Sequence, residues 1–70
     1  MARNIKKKYA RFAKHSIVYL RKTYAGLPAG YALRVVDNEK KNVGGKKYCI
    51  LVQDTLAPRM LFIETKYLYQ

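Results

Sequence analysis

Past His15 the chain is cut by glycine, proline and short polar runs into segments of strand length, and several of these are apolar on both faces. An open single sheet in water would leave one of those faces wet, so the pattern demands that the sheet close on itself or be covered. Residues 16–22 make the first such segment. Residues 23–30, TYAGLPAG, read as a loop that doubles back, with Gly26, Pro28 and Gly30 as its turn residues. A second strand is expected over 31–36, followed by a polar turn over 37–45 that ends in Gly44 and Gly45. Residues 46–53 are the most strand-like, with Tyr48, Ile50 and Val52 on one face and Cys49 and Leu51 on the other. A turn over 54–58 leads to a fourth strand over 59–65. Residues 66–70 suffice only for a single turn or an edge strand.

Before this β-rich part the pattern is helical. Ile5, Tyr9, Phe12 and Ala13 fall on one stripe at helical spacing, and Lys7, Lys8, Arg11 and Lys14 occupy much of the remaining surface. A basic amphipathic helix over 1–15 is therefore expected. Its apolar stripe would lie over one open end of a curled barrel formed by 16–70, the two making a single folded unit.

Seventy residues make one small domain, which buries only about 60% of the surface its unfolded chain exposes. Cys49 is the sole cysteine, which rules out an internal disulfide and points to a reducing, intracellular compartment; a cytoplasmic location is the expectation. No stretch approaches the roughly twenty apolar residues of a membrane-spanning helix, and a signal peptide is not expected. Cys49 reads as a small buried hydrophobe and His15 as a surface or junction residue, so no metal site is expected. The four carboxylates, Asp37, Glu39, Asp54 and Glu64, are dispersed, and the glycines lack phosphate-loop spacing. The chain is read as non-enzymatic, without cofactor.

At GLPAGYALRVVDN the order of elements becomes familiar. A strand, a loop with Gly-x-Pro-x-Gly, a strand, a polar turn, two more strands and a short terminal turn resembles the order of SH3-like small barrels. Ala29 and Gly30 stand where such a loop ends, before Leu33, Val35 and Val36. The resemblance covers residues 16–70 and implies a mainly β fold: a five-stranded SH3-like barrel, here capped by the basic N-terminal helix. Such barrels include ribosomal and translation-factor modules, chromatin readers, peptide binders and small phage-encoded proteins. The chain departs from the proline-peptide binders, because it has no tryptophan and no acidic loop. A basic protein is also a poor cage for methyl-lysine.

Charge supplies the functional direction. The first twenty-two residues carry +8 of the formal +11, with no Asp or Glu among them. A cationic surface concentrated in this way is the electrostatic footprint of a polyanion. Lys7, Lys8, Arg11 and Lys14 are candidate phosphate ligands, and Arg21, Lys22, Arg34, Lys46 and Lys47 would extend the track. Tyr24 is a candidate stacking platform for an unpaired base. The expectation is a nucleic-acid-binding protein working through phosphates, with RNA slightly favoured over DNA because nothing resembles a major-groove reader. The alternative is a small interaction module, such as a phage-encoded modulator, that docks on an acidic surface of a host protein. An electrostatic contact with anionic membranes is a third, weaker reading. An exposed β edge leaves self-association open.

Overall fold

The structure, a computed structural model, describes residues 12–70. Most of the expected helix, including Lys7, Lys8 and Arg11, lies outside the described residues. Its last turn is described and is not helical. The Ser16 N–H and hydroxyl both donate to the Ala13 carbonyl, at 3.1 and 2.6 Å, and His15 adopts φ 72°. A left-handed residue ends a right-handed helix, and the serine hydroxyl offers the backbone a turn instead.

Five strands follow: β1 (Ile17–Leu20), β2 (Ala32–Val43), β3 (Lys46–Asp54), β4 (Met60–Glu64) and β5 (Leu68–Tyr69). All pairings are antiparallel, in the order β4-β3-β2-β1-β5, and a 3-10 turn (Thr65–Tyr67) joins β4 to β5. Alternation decides what is buried. Val18 and Leu20, Leu33 and Val35, Ile50 and Val52, Ile63, and Leu68 point from the five strands into one cluster, each no more than 1% exposed. Ile63 and Leu68 belong to opposite edge strands yet share that cluster, so the sheet is curled until its inner face packs on itself. Leu27 and Phe12 complete the cluster, Phe12 anchored by a 2.9 Å hydrogen bond from the Asn38 side-chain amide to its carbonyl.

The curl stops short of a closed barrel, contrary to the sequence expectation. β4 and β5 are the two edges of the ladder and do not pair. The three-residue 3-10 turn consumes the connection between them, and the two residues of β5 pair with β1 through Tyr19↔Tyr69 and Leu20↔Leu68.

β2 is also longer than expected, continuing through the polar stretch that the sequence suggests is a turn. Register shifts between Val35 and Asp37, Asp37 and Lys41, and Lys41 and Val43 bend it as it goes. The true hairpin turn is Gly44-Gly45 alone, with φ 56° and 86°. Two consecutive positive φ values make the tight connection whose twist matches that of antiparallel strands, and glycine adopts them without strain. In β3, Tyr48 takes φ 62° and is exposed, so the alternation that places Ile50 and Val52 in the core does not extend to it. Cys49 is fully buried, and burial pushes its thiol pKa up.

Candidate nucleic-acid interface

The end of β1, the loop after it and the β4–β5 connection converge on one outer surface. Arg21 is tied to that connection by its N–H, which donates to the Tyr67 carbonyl at 2.7 Å. Its guanidinium lies 5.5 Å from the centre of the Tyr69 ring. The Lys22 ammonium sits 4.3 Å from the centre of the Tyr67 ring, and Lys66 approaches the same ring at 5.1 Å. Tyr67 and Tyr24 meet with ring centres 5.8 Å apart, tilted by 41°. Lys46, from the start of β3, donates a 2.7 Å hydrogen bond to the Tyr24 hydroxyl and lies 5.1 Å from that ring's centre. That hydrogen bond is the first cause of a raised Lys46 pKa, so the ammonium is held charged.

Local chain chemistry builds this cluster. The loop over 23–30 is pinned by a reciprocal pair of backbone hydrogen bonds between Tyr24 and Leu27, both 2.8 Å, and Leu27 is buried in the core. Tyr24 and Tyr67 pack against the same core from outside, so their rings are fixed by apolar contact while Lys22 lies against the Tyr67 ring and Lys46 is bound at the Tyr24 hydroxyl. Lys66 pairs with Glu64 at 3.8 Å. Lys22 and Lys46 have aromatic neighbours and no carboxylate within salt-bridge distance among the described residues.

The structure brings Arg21, Lys22, Tyr24 and Lys46 together. Lys14 is exposed in the turn before β1, and Lys47 is exposed beside Lys46. Arg34 lies nine residues from Val43, the β3-paired neighbour of Lys46, or about 30 Å along an ideal strand. It bonds the His15 carbonyl at 3.1 Å and lines an open groove of about 340 Å³ with Gln53 and residues 54–58. Arg34 pairs with Ile17 in the β1–β2 ladder, two residues along from the Tyr19–Ala32 pair, and the ring contacts and hydrogen bonds that join Arg21, Lys22, Tyr24 and Lys46 do not include it. Tyr24 also differs from the open stacking platform expected, because Lys46 and Tyr67 already occupy its surroundings.

Two contributors escaped the sequence reading of the track. Lys66 joins it through the 3-10 turn, where the terminal turn was expected but its meeting with Tyr67 was not. Tyr19 stands outward between two buried neighbours, a position that the alternation Val18-Tyr19-Leu20 does carry. Tyr67 and Tyr69 meet the rings of Tyr24 and Tyr19 respectively. Comparison with family models, with curated proteins and with solved structures finds no match to this chain.

Proposed function

We propose that the protein is a non-enzymatic nucleic-acid-binding module that grips phosphates through Arg21, Lys22, Lys46 and Lys66, with RNA favoured over DNA. The observation that carries this reading is the convergence of Lys22 and Lys46 on the Tyr24–Tyr67 pair, with no carboxylate within salt-bridge distance of either among the described residues. Ammonium groups held in place on aromatic faces lose little further freedom when a phosphate arrives, and each phosphate neutralised releases counterions. Lys7, Lys8, Arg11 and Lys14 extend the same proposal into the N-terminal segment, where charge density is highest. An SH3-like assignment belongs to the proposal too: the order β4-β3-β2-β1-β5 and the 3-10 turn before β5 support it. The test is binding of single-stranded RNA, single-stranded DNA and duplex DNA to the purified, nuclease-treated chain. Comparable, weak binding to all three that disappears by physiological salt would contradict the reading.

The second reading, a module that docks on an acidic protein surface, is favoured by a different area. Met60 and Phe62 on the β4 edge and Leu56 in the preceding turn are 55%, 37% and 83% exposed, beside Arg59. Apolar side chains rimmed by a cation on an unpaired edge suit a protein contact. Met60→Lys with Phe62→Lys should leave nucleic-acid affinity unchanged or raise it slightly; a large loss would move the binding site to this face.

A further inference from the structure

Tyr19 and Tyr69 face each other directly across the β1–β5 ladder, and their ring centres are 5.6 Å apart with a 38° tilt. Their flanking residues Val18, Leu20 and Leu68 are all no more than 1% exposed, so the strand alternation holds both rings outwards. The rings are 37% and 38% exposed. On the other side of Tyr19 the ladder partner is Ala32, whose methyl group covers little of the neighbouring ring. The guanidinium of Arg21 adds a cation beside Tyr69, and the Arg21 N–H bond to Tyr67 joins this pair to the lysine cluster.

A water-facing sheet surface gains nothing in solubility from two adjacent aromatic rings. A rigid aromatic surface bordered by cations is, in contrast, the arrangement that accepts an unpaired nucleobase while its phosphates meet the cations. We infer that Tyr19 and Tyr69, with Arg21 beside them, form a stacking site for an unpaired base of a single-stranded nucleic acid. This rests on the phosphate-binding reading above and deepens it by naming the strand state: bases locked in a duplex cannot lie on these rings, so single strands are preferred.

The experiment compares an oligouridylate with an abasic ribose-phosphate strand of equal length, using the full chain at one salt concentration. The two ligands carry equal phosphate charge, so their difference isolates the base. Base stacking on aromatic side chains corresponds to roughly 5- to 140-fold in affinity per base. The wild type is expected to prefer the oligouridylate by at least about five-fold. Tyr19→Ala with Tyr69→Ala should erase that preference and leave abasic-strand affinity in place. Tyr19→Phe with Tyr69→Phe keeps both rings and should retain the preference, with thermal unfolding used to confirm that each variant is folded. An oligothymidylate arm should show the same base preference, and whichever sugar gives the larger one identifies RNA or DNA as the source. Equal wild-type affinity for base-bearing and abasic strands would overturn the stacking site while sparing the phosphate reading. No binding to either strand would overturn both.

Discussion

The Tyr31 hydroxyl donates a 2.6 Å hydrogen bond to the Asp54 carboxylate, joining the residue before β2 to the last residue of β3. Asp54 is only 7% exposed and also accepts the Leu56 N–H at 2.9 Å, so this carboxylate organises the start of the β3–β4 turn. The Tyr31 hydrogen bond is the main cause holding the Asp54 pKa below its ordinary value and raising that of Tyr31 above its own. A depressed carboxylate pKa contributes stability above about pH 4 and loses it as pH falls through the folded value. A raised phenol pKa contributes stability below about pH 10 and loses it as pH rises through the folded value. Tyr31→Phe should therefore lower the unfolding temperature by a few degrees near neutral pH. The gap from wild type should narrow in acid and in strong base, measured by thermal melts across pH.

Lys46→Gln removes one phosphate ligand and the donor to Tyr24 while leaving the core untouched. The slope of log affinity against log salt should fall in magnitude by about one, as for loss of one phosphate contact. Lys22→Gln should act alike, and the double variant should lose about two. The comparison is made by fluorescence anisotropy on one oligonucleotide.

Ile50 is 1% exposed within the core cluster of the curled sheet. Ile50→Ala should cost about 2–5 kcal/mol, against a total of roughly 4–10 kcal/mol for a domain of this size. Leu56→Ala, in an exposed turn, should stay within about 0.5 kcal/mol. Urea denaturation should show the first as a large fall in midpoint with an unchanged slope.

Gly30 donates its N–H to the Leu20 carbonyl at 2.7 Å from φ 86°, and a methyl group there would meet no atom within 4 Å. Gly30→Ala thus isolates the backbone cost of a left-handed residue, about 1–2 kcal/mol of lost stability. A smaller loss in urea denaturation would mean that the loop relaxes around the substitution.

The places where sequence reading worked are those where side-chain chemistry dictates structure. Val18 and Leu20, Leu33 and Val35, and Ile50 and Val52 alternate into the core as their spacing requires, and the terminal residues yield both a short turn and an edge strand. The length of β2 was not legible, because residues 37–42 are polar and a ladder is made by backbone groups that carry no sequence signature. The left-handed Tyr48 was equally hidden, since nothing marks a tyrosine for positive φ, and with it went the exposure of a residue expected on the face of Ile50 and Val52. For the site, composition revealed the cations and aromatics but not their pairing. That Lys46 meets Tyr24 while Arg34 lies far along β2 depends on bulges and a hairpin position that emerge only in three dimensions.

The most direct measurement is the affinity of the full chain for single-stranded RNA from about 50 to 300 mM salt. Engagement of four or more phosphates requires log affinity to fall with log salt at a slope of about −3 or steeper. Binding indifferent to salt, or absent at 50 mM, would contradict the claim that the aromatic-seated lysines are a phosphate-binding surface.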